Sequence, residues 1–310
     1  MTRSKLPDLN GLLVIDKPAG MTSHDVVGRV RRLTGMKRVG HGGTLDPFAT
    51  GILVVAVGRA TRLLQYVQDS QKGYRAHVVL GASTDTADVD GVLNEIGDGG
   101  GWPGHEEVTT TVARFVGEIE QVPPAYSAIK VGGRKLYELA RAGEDVEVPT
   151  RMVTIHTIDT VSYRPPDLIL DIHCGKGTYV RSIARDIGVA LGTEAYCHGL
   201  RRTNTGRFCL ADAWTLDELT ERDVRQEWPQ IALHPDAALA DLPAVVLGEG
   251  DQAAWYHGRS VQLSPASQSA NAPVRAYGDD GRFLGIGTRT ADNALKPSLV
   301  LPPEDEGEES

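Results

Sequence analysis

The 310-residue chain is poor in cysteine and in long apolar runs, and each shortage excludes a class of protein. Its cysteines, Cys174, Cys197 and Cys209, have no paired spacing, which argues against a disulfide framework and favours a reducing compartment. No run of about 18 apolar residues occurs, so we predict no membrane-spanning helix. Met1–Asp8 has no apolar signal region, and we expect an unexported, cytoplasmic protein.

Two apparent ligand-binding motifs fail on inspection. Cys174–Thr178 superficially resembles a phosphate-binding P-loop, but Leu170 stands where the first glycine is needed and Gly177 where Ser or Thr should follow the lysine. A set that could imitate a zinc site lacks any C-x-x-C pair. That set is His173, Cys174, Cys197 and His198. We predict no metal and no cofactor.

The charge of the chain is unevenly distributed. The net charge of −9 argues against nucleic-acid binding if only the sum is considered. However, residues 1–80 carry +7 and contain no glutamate, and residues 121–210 carry +3, whereas the tail 304–310 carries −5. A basic face on an otherwise acidic body fits selective contact with RNA.

Apolar periodicity predicts single helices among strands. Thr22 and Asp25 form a capping-box pattern before a helix that Gly35 ends. A second helix is predicted where Val108, Val112, Phe115, Val116 and Ile119 recur at helical spacing, ended by Pro123-Pro124. The third runs from Tyr179 to Leu191, which puts Tyr179 and Arg181 at a helix N-terminus.

Predicted strands lie between these helices, at Gly51–Gly58, Tyr74–Leu80 and Leu168–Cys174, and the acidic segment Ser83–Asp90 is predicted to be a loop. Because strands and helices do not alternate strictly, we predict an α+β fold with flanking helices on a mixed, mainly antiparallel sheet.

A second, smaller domain is predicted after a break. Residues 1–224 form the first domain, and the proline-punctuated segment 225–243 is a linker. Residues 244–303 are β-rich, with a hairpin turn at Gly278–Gly281. The acidic tail 304–310 is predicted to be disordered.

The most informative segment is Gly40–Gly51, GHGGTLDPFATG, which holds Asp46 between glycines and a proline just before a strand. By local pattern alone, an Asp-Pro step is more typical of a turn or a helix cap. Together with Lys17–Ser23 (KPAGMTS) and Gly177–Arg181 (GTYVR), however, the segment resembles the TruB family of bacterial tRNA pseudouridine synthases. The likeness runs from about Leu12 to Phe208 and includes Leu200-Arg201-Arg202.

The resemblance implies a pseudouridine synthase fold, a PUA-like RNA-binding domain at residues 244–303 and a catalytic set. Asp46 would be the carboxylate nucleophile, Arg181 its ion-pair partner, and Tyr74 the residue that stacks on the flipped base and can accept a proton. His41 would fill the space that the base vacates. Weaker matches assign substrate binding to Tyr179, to the backbone of Leu200 and to Lys17.

The implied reaction is the guide-independent isomerisation of uridine-55 in the T loop of tRNA, after base flipping, by a monomer. No guide RNA and no membrane partner are expected. Two alternatives stay open: a guide-dependent rRNA pseudouridine synthase, and a non-catalytic RNA-binding or tRNA-folding protein. Without the resemblance, Tyr74 equally fits a half-buried strand position, and His41 fits a structural hydrogen bond.

Overall fold

The computed structural model describes residues 9–95, 101–124, 126–127, 130–131, 133–136, 148–263 and 271–301. The predicted acidic tail, 304–310, lies outside the described residues, as does Met1–Asp8. The chain divides into two compact units, Met1–Ala232 and Leu233–Ser310. Within the described residues, no helix is long and apolar enough to cross a membrane.

One large sheet forms the frame of the first unit. The strands of this unit are β1 Gly11–Lys17, β2 Val39–His41, β3 Thr50–Val57, β4 Lys72–Leu80, β5 Ala82–Thr84, β6 Leu93–Glu95, β7 Gly117–Gln121, β8 Lys130–Val131, β9 Arg134–Lys135, β10 Arg151–Arg164, β11 Asp167–Cys174, β12 Ala195–Thr205 and β13 Phe208–Cys209. Nine of them join in the order β1-β3-β12-β4-β11-β10-β7, with β2 paired to β3 and β13 to β12, while β5-β6 and β8-β9 are separate hairpins. Within the nine-stranded sheet, β12 and β3 pair in parallel and the other pairings are antiparallel. The predicted mixed, mainly antiparallel α+β fold is confirmed.

Helices cover this sheet, and two of them follow the predicted boundaries closely. Among the described residues, the helices are α1 Ser23–Thr34, α2 Leu64–Asp69, α3 His105–Ala113, α4 Val180–Ala190, α5 Leu216–Thr220, α6 Trp228–Ile231 and α7 Glu249–Tyr256, with short 3-10 turns at Gly58–Leu63, Leu210–Asp212 and Pro235–Leu239. Thr22 and Asp25 form the predicted capping box of α1, and Gly35, at φ 68°, ends it. Helix α4 begins after Tyr179, as predicted, and buries Ile183 and Ile187, which are fully inaccessible.

The helix predicted from Val108 to Ile119 is wrong in its second half. Helix α3 ends at Ala113, and Ile119 belongs to strand β7. Gly117 adopts a φ of 108°, a left-handed backbone that interrupts the helix. Val116, one of the apolar positions of the predicted helix, is 47% exposed.

The acidic segment predicted as a loop, Ser83–Asp90, is more ordered than expected. Its first two residues belong to β5, which pairs with β6. The backbone of Asp88 forms a bridge to Cys197 in β12, which fixes this hairpin against the main sheet.

The second unit is a small β-rich body. Its strands are β14 Ala244–Leu247, β15 Val261–Gln262, β16 Pro273–Gly278, β17 Phe283–Arg289 and β18 Ala294–Val300. They form one sheet in the order β14-β16-β17-β18-β15, in which β16 and β17 are the predicted hairpin. Trp255 from α7 is fully buried and donates its indole N–H to the Leu284 carbonyl at 3.0 Å, which ties the helix to the sheet.

The segment proposed as a linker, 225–243, is structured over much of its length. Trp228 and Ile231 of α6 are 8% and 4% exposed and pack in an apolar core with α1, β1 and β3. The division between the two units falls immediately after α6, between Ala232 and Leu233.

Candidate active site

The Asp46 loop connects β2 and β3, and buried side chains hold its backbone from below. Arg202 on β12, 2% exposed, donates to the carbonyls of Gly43 at 3.1 Å and Thr44 at 3.3 Å. Ser23, at the start of α1, accepts from the Leu45 N–H at 2.8 Å and donates to the Leu45 carbonyl at 3.1 Å. The loop therefore keeps its shape without help from a ligand.

The next two carbonyls of the loop are also occupied. The Asp46 carbonyl accepts from the Ala49 N–H at 3.1 Å, and the Pro47 carbonyl accepts from Gly20 N–H at 2.9 Å. The fully buried Lys17 ammonium adds a third contact, 3.2 Å from the same Pro47 oxygen. Five consecutive carbonyls, from Gly43 to Pro47, thus have fixed donors.

Gly51 allows the strand after this loop to begin close to β12. Its φ is 97°, and a Cβ at this position would collide with the backbone of Arg202. The close parallel pairing of Thr50 and Gly51 with Arg201 and Arg202 therefore requires glycine.

Asp46 projects from the loop to meet Arg181, in the first turn of α4. The Arg181 Nε lies 3.0 Å from the Asp46 Oδ2, and the Nη2 lies 3.2 Å from Oδ1. This two-pronged contact fixes the orientation of the carboxylate. The guanidinium is 4% exposed, whereas the carboxylate is 32% exposed and so can be reached by a ligand.

Asp88 holds the other side of the same guanidinium. Its Oδ2 accepts from Arg181 Nη1 at 2.8 Å, and its side chain is 6% exposed. The carbonyls of Thr86 and Tyr126 each accept from Arg181 at 3.0 Å. A buried guanidinium with one carboxylate and two carbonyls besides Asp46 is immobile.

The environment of Asp46 opposes its ionisation on balance. Burial raises the pKa of its carboxyl, the positive Arg181 lowers it, and the negative Asp88 raises it again. The net direction is upward from 3.8. Partial burial thus disfavours the charged form of this carboxyl, and the ion pair with Arg181 favours it.

A cavity of about 200 Å³ opens at the Asp46 carboxylate. Tyr74 lies on β4, which runs between β11 and β12, and it pairs with Ile172 on one side and Arg202 on the other. Its side chain forms one wall of the cavity. Burial raises the pKa of the Tyr74 phenol, so this side chain stays neutral at ordinary pH. The cavity is lined by Thr44, Leu45, Asp46, Tyr74, Ser127, Thr178, Tyr179, Val180, Arg181 and Leu200.

Tyr179, just before α4, is held through its backbone and its ring. The side chain of Gln121, fully buried at the end of β7, accepts from the Tyr179 N–H at 2.8 Å and donates to its carbonyl at 3.0 Å. The guanidinium of Arg151 lies 4.4 Å from the centre of the Tyr179 ring. The wall that Tyr179 adds to the cavity is therefore fixed from two directions.

Comparison with known proteins assigns this arrangement to a family. The model described as the TruB family pseudouridylate synthase N-terminal domain matches residues 31–180. The tRNA pseudouridylate synthase B C-terminal domain matches residues 181–237, and the C-terminal model of pseudouridine synthase II TruB matches residues 243–301. The protein called tRNA pseudouridine synthase B in Trichormus variabilis is 43% identical over 300 residues, covering 95% of this chain and 99% of its own. The chain belongs to the TruB family of pseudouridylate synthases.

Further TruB relatives match over nearly the whole chain. The tRNA pseudouridine synthase B of Pseudomonas aeruginosa is 41% identical, with 94% of this chain and 96% of its own covered. That of Arthrobacter sp. is 41% identical, with coverages of 96% and 98%. A chain of the archaeal box H/ACA sRNP Nop10-Cbf5 complex has the same fold, with a TM-score of 0.72, 24% identity, and coverages of 96% of this chain and 88% of that one.

The structure of this TruB member brings most of the predicted site residues together. Asp46, Tyr74, Tyr179, Arg181 and Leu200 all line the cavity. This convergence is what the family resemblance implied, and it joins the loop, strands β4 and β12, and the start of α4.

Two predicted substrate-binding residues lie elsewhere. Lys17 is fully buried beneath the loop, and besides Pro47 its ammonium donates to the carbonyls of Met21 at 2.7 Å and Pro18 at 2.9 Å. Burial lowers the pKa of Lys17 to about 8. His41, at the end of β2, accepts a long bond of 3.4 Å from the Gly43 N–H, and burial lowers its pKa. Both residues contact the loop, and neither belongs to the cavity lining.

Several residues of the site were not identified from sequence. Asp88 lay in a segment predicted to be a loop. The only local indication of a role was an acidic residue close to Thr84 and Thr86. Arg202 was part of a motif that matched the family but had no assigned role. Ser127 belongs to the segment Pro124–Ala128, which also resembles the family, but the resemblance gave it no role. Gln121 gave no local signal, because its importance depends on a partner that is distant in the chain.

Proposed function

We propose that this TruB member converts uridine-55 in the T loop of tRNA to pseudouridine, with Asp46 as nucleophile and without a guide RNA. The observation that carries this proposal is the carboxylate of Asp46, held by Arg181 at the mouth of a cavity walled by Tyr74 and Tyr179. The relatives that match over nearly the whole chain are tRNA pseudouridine synthases B.

The reaction breaks the N1–C1′ bond of uridine, turns the base and joins C5 to C1′, after which the C5 proton leaves. The target base has to leave the folded RNA loop, at a cost of a few kcal/mol (about 2–4), which stacking and pocket contacts repay. Tyr74 supplies an aromatic wall for the flipped base. Because the Asp46 carboxylate is fixed by two contacts to Arg181, it is aligned for attack on either the sugar C1′ or the pyrimidine ring.

The positions of the remaining residues suggest supporting roles. Lys17 and His41 shape the loop that carries Asp46, while Tyr179 and the Leu200 backbone contact the substrate. The first unit carries the chemistry, and the PUA-like domain predicted at residues 244–303, in the second unit, adds RNA contacts. We propose that the protein acts as a monomer in the cytoplasm, where tRNA is found.

The test is incubation of the full-length protein with an unmodified tRNA transcript and no other RNA. Mass spectrometry should show pseudouridine at position 55, and a transcript with cytidine at this position should remain unmodified. Tight binding with unchanged uridine would favour a non-catalytic RNA-binding protein. Conversion only after addition of a guide RNA would favour the guide-dependent alternative.

A further inference from the structure

Ser127 presents a buried hydroxyl to the catalytic cavity. It follows Tyr126, whose carbonyl accepts from Arg181, the same guanidinium that orients Asp46. Ser127 is 4% exposed and lines the cavity with Asp46, Tyr74 and Leu200. Its Oγ has no hydrogen-bond partner among the described residues.

A buried hydroxyl without a partner costs about 1–3 kcal/mol, and native structures rarely keep one. Two other polar side chains of the cavity already have hydrogen-bond partners. Thr178 Oγ1 donates to the Gly175 carbonyl at 3.0 Å, and Arg181 is held by two carboxylates and two carbonyls. The Ser127 hydroxyl is therefore available for a polar group that enters the cavity from outside.

We propose that Ser127 Oγ donates a hydrogen bond to a carbonyl oxygen of the uracil base bound beside Asp46. This assignment rests on the proposed function. The uracil edge carries two carbonyls, at C2 and C4, on either side of the N3–H, and the free hydroxyl can donate to either.

The geometry of the isomerisation gives this contact a particular use. To bring C5 to the place that N1 occupied, the base turns about the axis through N3 and C6, which exchanges the positions of the two carbonyls. One fixed hydroxyl can therefore bind O2 or O4 before the turn and the other oxygen after it. Ser127 would hold both the uridine and the pseudouridine orientation of the base, and it would favour neither strongly.

The test combines a Ser127→Ala substitution with thio-substituted substrates. T-arm RNAs with uridine, 2-thiouridine or 4-thiouridine at the target position are compared in single-turnover reactions with saturating enzyme. Sulfur is a poor acceptor, so we expect the wild type to be slower on at least one thio-substituted RNA. Ser127→Ala should slow the uridine reaction by about tenfold, which corresponds to about 1.4 kcal/mol, and should add little further loss on that thio-substituted RNA.

Ser182→Ala is the matched control. Ser182 is a fully buried neighbour of Arg181 outside the cavity lining, and its hydroxyl donates to the Val122 carbonyl at 2.8 Å. Its replacement should lower the Tm and keep the wild-type order of rates on the three RNAs. Ser127→Ala, in contrast, removes an unpaired hydroxyl and should not lower the Tm.

Two results would overturn the assignment: equal rates of wild type and Ser127→Ala on uridine RNA, or the same proportional loss on all three RNAs. The first would mean that no bond exists, and the second that the variant acts through general disturbance. A wild-type enzyme that forms no pseudouridine on any RNA would instead overturn the proposed function, and this assignment with it.

Discussion

Replacement of Asp46 by asparagine should separate chemistry from folding and from RNA binding. The substitution keeps the size of the side chain and removes its negative charge and nucleophilicity. Loss of the nucleophile in a site that works as a unit costs at least about 10⁴-fold in rate. We expect no detectable pseudouridine from Asp46→Asn under conditions in which the wild type completes its turnover.

The folded structure should tolerate this change because Arg181 keeps other partners. Its Nη1 remains 2.8 Å from the Asp88 carboxylate, and two carbonyls still accept from it. The Asp46 side chain is one third exposed, so loss of its ion pair costs about 1 kcal/mol or less. Burial already raises the pKa of Asp46, and a neutral amide avoids that penalty. The Tm should therefore fall by about 4 °C at most.

RNA affinity should be kept, since Asp46 offers no positive charge to the phosphates. A Kd within about threefold of the wild-type value corresponds to less than about 0.7 kcal/mol. The assay is a single-turnover reaction on a T-arm RNA with mass-spectrometric detection, together with a filter-binding titration. Asp46→Ala should be run in parallel, because asparagine can deamidate back to aspartate.

Asp88→Asn is the control with the same chemical change on the same guanidinium. Asp88 does not line the cavity, and its carboxylate is 6% exposed, compared with 32% for Asp46. This variant should lose more stability than Asp46→Asn and yet retain slow turnover. Turnover by Asp46→Asn and Asp46→Ala within tenfold of the wild type would refute the assignment of Asp46 as nucleophile.

Three further predictions concern the surroundings of the carboxylate. Because burial raises the Asp46 pKa, the single-turnover rate should fall on acidification with a midpoint above 3.8, and a midpoint at or below that value would contradict the effect. Lys17→Met should reduce kcat by about ten- to a hundredfold and leave the RNA Kd unchanged, since the Lys17 ammonium donates to the Pro47 carbonyl beneath the loop. A higher RNA Kd with normal kcat would instead indicate that Lys17 contacts RNA. Arg151→Ala should raise the RNA Kd by about two- to fivefold, because it removes the guanidinium that covers the Tyr179 ring. It should not lower the Tm, because two buried guanidinium nitrogens of Arg151 have no partner among the described residues. An unchanged Kd would show that the ring contact does not contribute to RNA binding.

Local sequence signals predicted much of the fold and failed where a single backbone position decided the outcome. The α1 boundaries follow from Thr22 and Asp25 at one end and Gly35 at the other, all within one turn of the helix termini. The apolar spacing around Val108 continued to Ile119, but periodicity does not register the left-handed backbone of Gly117 that starts β7. A pattern that fits a helix can also be divided between a helix and a strand when a glycine stands between them.

The catalytic set could be predicted only through the family resemblance. Asp46 and Arg181 are 135 positions apart, and no spacing rule joins them. The basic residues show the same limit: Lys17 and Arg202 matched family motifs, but the chain alone does not say that their charges lie buried under a loop. Their function depends on which carbonyls the tertiary fold brings to them.

The buried cations explain why this site needs motifs so far apart in the chain. A loop that holds a carboxylate must keep its own carbonyls directed elsewhere, because free carbonyls beside Asp46 would repel it and compete for Arg181. Lys17 from β1 and Arg202 from β12 each donate to carbonyls of this loop, and Ser23 satisfies Leu45 between them. With the backbone so occupied, Arg181 is directed to the Asp46 carboxylate. The upstream and downstream motifs thus act on the same carboxylate, the proposed nucleophile, through opposite ends of one loop.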